Sequence, residues 1–302
     1  MKSVEKIKIL VVGDIMLDRY VVGDVSRISP EAPVAVVNVI DEYSTLGGSG
    51  NVVRNIRETG AQVDCLSSIG GDIEGKIILD KLKGIGVKPL LCFGSERTTA
   101  KERIIAEHRS VQMLRIDREV ITPVPSEISI SKLKQTKNDY DIIIVSDYNK
   151  GMITSKLMTY LKENMKARII VDPKPINGWM YNDIFMITPN EKEWQRMQIA
   201  SNYVLDNVEY ILQTLGSKGM RLIHGEDISN IKAVPVEIYN VSGAGDTVIA
   251  MMAVCLSMGL LPKHAAEFAN QCAGYVVTQP GTSVVPKNKF MDILSRYIQE
   301  IL

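Results

Sequence analysis

The chain opens on Lys6–Gly13, which reads KIKILVVG and closes on Gly13-Asp14. A β-branched apolar run with little alternation is the pattern of a strand covered on both faces. Similar short runs recur at Val63–Ile69, Asp141–Ser146, Arg168–Asp172, Ile184–Ile187 and Met220–His224. Between them, apolar residues at helical spacing predict helices over Ser49–Thr59, Ile73–Lys83, Thr154–Met165 and Val204–Leu215. Such alternation predicts an α/β fold, a three-layer arrangement in which a mostly parallel sheet carries helices on both faces. The longest apolar run, Val248–Leu261, is interrupted only by Ser257 and Gly259. It falls short of the roughly 20 residues that cross a bilayer and predicts a buried helix instead.

Two stretches break the rhythm. Asp18–Leu46 and Thr98–Asp117 read as short alternating strands with turns, and together they predict a small antiparallel β lid beside the main sheet. No Gly/Ser linker, internal repeat or low-complexity tract separates them from the rest. Residues 1–302 are therefore expected to form a single domain with lid segments at about 18–46 and 98–117.

Composition narrows the function. The 302 residues are 45% hydrophobic and 23% charged, the usage of an ordinary globular protein. Lys plus Arg and Asp plus Glu each number 35, and no basic stripe stands out, so neither a nucleic-acid nor a membrane partner is expected. Cys65, Cys92, Cys255 and Cys272 form no CxxC pair and read as reduced core residues. No apolar leader precedes the first strand, which predicts a cytoplasmic location. His108, His224 and His264 lack the neighbours of a triad or a metal site and read as structural.

Four segments carry candidate chemistry. Asn240-Val-Ser-Gly243-Ala244-Gly245-Asp246 is a small-residue turn opening into the apolar helix, a place where backbone N–H groups can meet an anion. Asp246 would repel a phosphate there unless it takes a proton from an attacking hydroxyl, although an Asp in a first turn also serves as a plain cap. Gly47-Gly48-Ser-Gly50-Asn51 precedes a helix, but Val53 spoils a dinucleotide fingerprint and no P-loop Lys is present. It is either a turn that lets a polyhydroxyl ligand approach, with Asn51 as donor and acceptor, or an ordinary strand-to-helix connection. Asn190 and Glu193 stand three apart at a helix start, where they could orient water on Mg²⁺ or cap the helix. Thr214-Leu-Gly216-Ser217-Lys-Gly219 reads equally as a Gly-containing helix C-cap.

Taken in order from Gly13-Asp14 to Asp246, these motifs resemble the ribokinase-like (PfkB) carbohydrate kinases over the whole chain. The resemblance implies an ATP-dependent enzyme that uses Mg²⁺ and transfers phosphate to an alcohol. It implies Asp246 as catalytic base, with Gly243, Ala244 and Gly245 as the anion hole. Asn190, Glu191, Lys192 and Glu193 would serve nucleotide and Mg²⁺, with Thr214, Gly216, Ser217, Gly219 and Asn270 also on the nucleotide. A buried Asn270 could equally satisfy a carbonyl. Asp14, Asp18, Gly47, Gly48 and Asn51 would line the sugar site.

Gly13-Asp-Ile-Met-Leu-Asp18-Arg-Tyr20, Arg27-Ile-Ser-Pro-Glu-Ala-Pro-Val34, Val145–Gly151 and Val171–Lys174 are similar to the subgroup of that family acting on D-glycero-β-D-manno-heptose 7-phosphate. That implies phosphorylation of the anomeric hydroxyl to the 1,7-bisphosphate, in the ADP-heptose route that feeds lipopolysaccharide or another heptose-bearing glycan. A nucleotidylyltransferase follows the kinase in many relatives. No HxGH-type motif occurs here, so only the kinase step is implied. A sugar phosphate needs cations, and six basic residues lie from Arg97 to Arg118. Lys101 and Arg103, two apart on a strand, could clamp the terminal phosphate with Arg115 and Lys174, although such a strand is also commonly a solvated face. The alternatives are a kinase of another sugar, sugar phosphate or nucleoside, and a non-catalytic nucleotide-binding regulator. Asn240 stands where relatives often carry an Asp beside a monovalent cation, which weakens the case for K⁺ while leaving it compatible. Family lids often pair in homodimers, and Val34, Val36, Val37 and Val39 offer an apolar lid face.

Overall fold

The computed structural model describes residues 1–108, 111–199 and 207–301. A nine-stranded sheet runs β13-β12-β11-β10-β9-β8-β1-β4-β5. Its strands are β1 (Lys8–Gly13), β4 (Gln62–Ile69), β5 (Lys88–Phe93), β8 (Ile142–Ser146), β9 (Arg168–Asp172), β10 (Ile184–Ile187), β11 (Val208–Thr214), β12 (Met220–His224) and β13 (Asp227–Ile231). The pairings from β5 across to β11 are parallel, and β12 and β13 close that edge as antiparallel strands.

Successive residues of β1 point to opposite faces and both faces are covered. Ile9 and Val11 enter one core with Val53, Ile56, Ile249, Met252, Phe268 and Phe290. Those partners come from α1 (Ser49–Thr59), α6 (Ala244–Met258), α7 (Pro262–Val276) and α8 (Lys287–Ile301). Leu10 and Val12 enter the other core with Leu133, Leu157, Leu161 and Met197. These lie on α3 (Ser126–Lys134), α4 (Ser155–Asn164) and α5 (Glu191–Ile199), while α2 (Ile73–Gly84) joins the first core through Ile78 and Leu82. The fold is α/β in three layers. All four cysteines are free and buried.

The predicted helix Val204–Leu215 is corrected: residues 204–206 lie outside the described residues, and Val208–Thr214 is strand β11 between β10 and β12. A short apolar run fits both periods, and here the sheet supplies partners on both edges. The turn from Thr214 to Gly219 accordingly follows a strand, not a helix.

A second sheet of four strands stands apart in the order β3-β2-β6-β7. It consists of β2 (Ile15–Ile28), β3 (Ala35–Gly48), β6 (Ala100–Ala106) and β7 (Val111–Arg118). It comes from the two stretches that broke the helix–strand rhythm, and is called the flap below. The β2–β6 pairing is parallel, while β2–β3 and β6–β7 are antiparallel. Asp18 stands beside Lys101 and Tyr20 beside Arg103, with Asp117 and Arg115 opposite those two cations, so all six share one face.

Candidate active site

Parallel strands deliver their C-terminal ends to one rim, the usual location of a ligand crevice in open α/β sheets. Asp14 follows β1, Asp147 and Tyr148 follow β8, Asp172 ends β9, Asn190 lies beyond β10, and Thr214 ends β11. A cleft of about 290 Å³ on this rim is lined by Asp147, Tyr148, Asp172, Lys174, Asn190, Glu193, Thr214, Gly243, Gly245 and Asp246, among others.

Asp246 sits in the first turn of α6 and is 7% exposed. Its Oδ2 accepts from Asn51 Nδ2 at 2.8 Å and its Oδ1 from the Tyr148 hydroxyl at 2.8 Å. Burial pushes its pKa up to about 6, while the two donors and the Lys101 ammonium oppose that rise. Such a carboxylate is ionised at neutral pH yet basic enough to accept a proton. No side chain caps α6; the Ala244 amide donates to the Val241 carbonyl at 3.3 Å, and Gly243 and Gly245 line the cleft at this helix N-terminus, where first-turn amides lack intrahelical acceptors. Gly243 holds φ at 83°, and a Cβ there would stand 2.8 Å from Asn51 Nδ2, so the turn requires glycine both for its dihedral and for the contact.

Asp14 is 2% exposed, and its carboxylate accepts backbone N–H bonds from Tyr148 (2.9 Å), Lys150 (3.0 Å) and Met152 (2.9 Å). It was expected on the sugar. In the structure it also ties down the loop that carries Tyr148. Asp18, 5% exposed, receives Arg103 Nη1 at 2.7 Å, and a Cβ on Gly47 would strike its other oxygen at 2.3 Å. Gly48 is the positive-φ residue that turns β3 into α1 and delivers the fully buried Asn51.

The four expected phosphate-clamp cations divide. Arg103 is bonded to Asp18, and Arg115, half exposed, makes a two-pronged pair with Asp117. Lys101 has no ion pair among the described residues and burial lowers its pKa. Its ammonium stands 5.9 Å from the Tyr148 ring centroid, and that of Lys174 stands 5.4 Å from the same ring. Lys174 also approaches Glu193 at 3.6 Å.

Asn190 and Glu193 form a reciprocal capping box. The Glu193 amide donates to Asn190 Oδ1 at 2.9 Å, and the Asn190 amide donates to Glu193 Oε2 at 3.0 Å. Glu191 and Lys192 are exposed on the same turn. Asp172, which sequence reasoning passed over as a site residue, is half-buried beside this box. Burial, then the carboxylates of Glu193 and Asp246, push its pKa well above the usual range. Carboxylates gathered around one cleft, with Lys174 as nearby cation, are oxygen donors suited to a hard divalent cation such as Mg²⁺, which needs few protein ligands when phosphates and water supply the rest.

At the far end, Thr214 lines the cleft, Gly216 and Ser217 lie in an exposed 3₁₀ turn, and Gly219 is pressed against the Ile231 carbonyl. Asn270 donates to the Lys232 carbonyl at 2.8 Å, which satisfies its amide locally. Asn240 Oδ1 accepts from the Ser242 amide at 2.8 Å, and Arg54 donates to the Thr282 carbonyl at 3.1 Å. Tyr148 lies in the Val145–Gly151 segment, but no local motif placed it beside Asp246. Its bond to Asp246 spans 98 residues and exists only once β8 and α6 share a rim.

Residues 6–288 match the family described as pfkB family carbohydrate kinase. Among curated proteins, the chain is 40% identical over 300 residues to a bifunctional protein HldE of Desulfatibacillum aliphaticivorans, covering 92% of this chain and 61% of the relative. It is 38% identical over 301 residues to the HldE of Aliarcobacter butzleri, covering 92% and 62%. The chain thus spans a little over three fifths of the curated relatives it matches. Among solved structures, phosphofructokinase-2 from Escherichia coli in complex with potassium superposes with a TM-score of 0.77 at 17% identity, covering 97% of this chain and 99% of that one. A ribokinase from Thermotoga maritima superposes at 0.70 with 18% identity, covering 96% and 99%. At those identities the likeness is one of fold.

Proposed function

The chain belongs to the pfkB family of carbohydrate kinases, phosphotransferases with an alcohol acceptor, and from that premise we propose that it transfers the γ-phosphoryl group of ATP to the anomeric hydroxyl of D-glycero-β-D-manno-heptose 7-phosphate. The observation that carries the kinase chemistry is Asp246, a cleft carboxylate with a pKa near 6 at the open N-terminus of α6. The acceptor hydroxyl gives its proton to Asp246 while its oxygen bonds to the γ-phosphorus, and the bond to the bridging oxygen of ADP breaks. Amides of the Gly243–Gly245 turn face the oxygens of the moving phosphoryl group, where negative charge must be held. Asn51 fixes the carboxylate rotamer through Oδ2. Asp172 and Glu193, with the Asn190 side chain beside them, would hold Mg²⁺ through oxygen and water, and the ion supplies charge neutralisation at the phosphate oxygens.

Two features support a phosphorylated acceptor, and heptose in particular. The segments at Gly13–Tyr20 and Arg27–Val34 resemble the heptose 7-phosphate subgroup. The flap offers Lys101, a half-buried ammonium on the face turned to the cleft, with Lys174 across from it. The flap would act as a lid on the same kinase unit, excluding water from the transfer. We place the reaction in the cytoplasm, where ATP is at hand.

A coupled ADP-release assay with MgATP tests the reading, with the heptose 7-phosphate, fructose 6-phosphate, ribose and adenosine at equal concentration. Turnover on the heptose phosphate alone is expected. Turnover on another acceptor would keep Asp246 and overturn the heptose assignment. The edge strand β3 exposes Val39, Ile40 and Tyr43, with Val34 exposed just before it and Val36 and Val37 half-buried, and we infer that a second copy covers it. Sedimentation should then report a dimer that Val39→Glu converts to monomer.

A further inference from the structure

A kinase whose base lies open to solvent risks handing the phosphoryl group to water. In this cleft the acceptor-side oxygen of the base is already occupied. Asp246 Oδ2 faces Asn51, which is fully buried, so Oδ1 is the oxygen turned to the cleft, and the Tyr148 hydroxyl donates to it at 2.8 Å. An acceptor hydroxyl needs that same approach distance to lose its proton.

The loop bearing Tyr148 is held from several directions. Its amide and those of Lys150 and Met152 are bound by Asp14, and the Asn149 amide is bound by Asp147 Oδ1 at 2.6 Å. Asp147 is itself gripped by Asn177 and Tyr181. Asn149 holds a left-handed φ of 55°. A backbone so fixed leaves the side chain as the moving part. Its ring is flanked by Lys101 on the flap strand and Lys174 beyond β9, at 5.9 and 5.4 Å from the centroid. Both ammonium groups are attracted to the ring face, and both are drawn away by a bound anion.

We propose that Tyr148 is a positioning residue that guards the base: its hydroxyl occupies Asp246 Oδ1 until an anionic acceptor engages Lys101 and Lys174, then yields that oxygen to the acceptor hydroxyl. The guard rests on Asp246 being the base. Its release needs an anionic acceptor but does not depend on which phosphorylated sugar that is. Without the guard, a water oxygen bonds to the γ-phosphorus, its proton passes to Oδ1, the bond to the bridging oxygen of ADP breaks, and inorganic phosphate leaves. Besides Asn51 and Tyr148, the charged groups around Asp246 are Asp18 and Lys101 on the flap and Asp172 at the end of β9.

The test is ADP release from MgATP with no sugar present, at about pH 8.5 so that the base is ionised in every protein compared. Tyr148→Phe keeps the ring between the two ammonium groups and removes only the hydroxyl. It is expected to raise hydrolysis about tenfold over the wild type, the worth of one hydrogen bond, with the KM for MgATP held within about twofold. The double variant Tyr148→Phe/Asp246→Asn should lose the gain, because the water is activated through Asp246. Lys101→Met, which frees the ring from the flap side, should give a smaller rise of about twofold. Hydrolysis that rises in neither single variant, or a gain that survives in the double variant, overturns the proposal. Because no sugar is used, a failed heptose assignment leaves this result standing, and a failed guard leaves the acceptor panel standing.

Discussion

On the rim of the nine-stranded sheet Asp14 spends its carboxylate on three backbone amides, whereas across the cleft Asp18 meets another side chain, the Arg103 guanidinium. The contrast extends to their neighbours. On the rim several groups take backbone bonds: Asp147 binds the Asn149 amide, and Asn190 and Glu193 close each other's amides, while Asp246 itself is held by the Asn51 and Tyr148 side chains. The flap's polar face is instead held by side-chain pairs, Arg103 with Asp18 and Arg115 with Asp117, and its other face carries a third, Arg118 with Glu102. Backbone-held groups move only if the loop unfolds, while paired side chains can exchange one partner for another when a ligand arrives. The rim is therefore suited to chemistry, which needs fixed geometry, and the flap to selecting the acceptor.

If that division holds, the largest effect belongs to the rim. Asp246→Asn should lower kcat by about 10³ while the KM for MgATP stays within about twofold, as steady-state kinetics would show. Retained turnover would remove Asp246 from the role of base. Next, Asp14→Ala leaves three inward-facing amides without an acceptor and should cost about 3 kcal/mol of stability, seen as an earlier urea midpoint. A change under about 0.5 kcal/mol would mean that the loop holds itself. Third is the pH response. The folded pKa of Asp246 is raised from 3.8 to about 6, and the base must be deprotonated to act. Activity should therefore be present above about pH 6 and fall roughly tenfold per unit below it, an acid limb read from kcat against pH. The smallest effect is expected at the flap margin. Arg115, half exposed and paired with its own neighbour, should contribute under about 0.5 kcal/mol, so Arg115→Ala should change the acceptor KM by less than about twofold.

Local pattern revealed much of the frame. The α1 boundaries coincide with the predicted Ser49–Thr59 because Gly48 and Gly60, both at positive φ, punctuate the helix at each end. The flap was legible as the two stretches with strand alternation and no helix, but its pairing was not: an antiparallel lid was expected, and β2 and β6 run parallel. Strand β11 was not, because Val208, Ile211, Leu212 and Leu215 also satisfy helical spacing, and only the vacancy between β10 and β12 decides between the two periods. Asn190 and Glu193 were found because their spacing is local, but the same spacing serves a cap, and the reciprocal bonds show that the cap is present. Tyr148 and Asp172 lie in segments matched to the subgroup, Val145–Gly151 and Val171–Lys174, but nothing local singled out either residue within them. Their nearness to Asp246 comes from the order of strands in the sheet, a property of the whole chain.

The central claim, that the rim performs the transfer and the flap selects an anionic acceptor, is tested most directly by one ratio. It is kcat/KM for the heptose 7-phosphate over kcat/KM for the same heptose without its phosphate, measured in the wild type and in Lys101→Met. The wild type should favour the phosphorylated sugar by about 10²-fold or more, and Lys101→Met should reduce that preference by about tenfold, with activity on the unphosphorylated sugar little changed. A preference that survives the substitution intact would contradict the account and return the choice of acceptor to the rim.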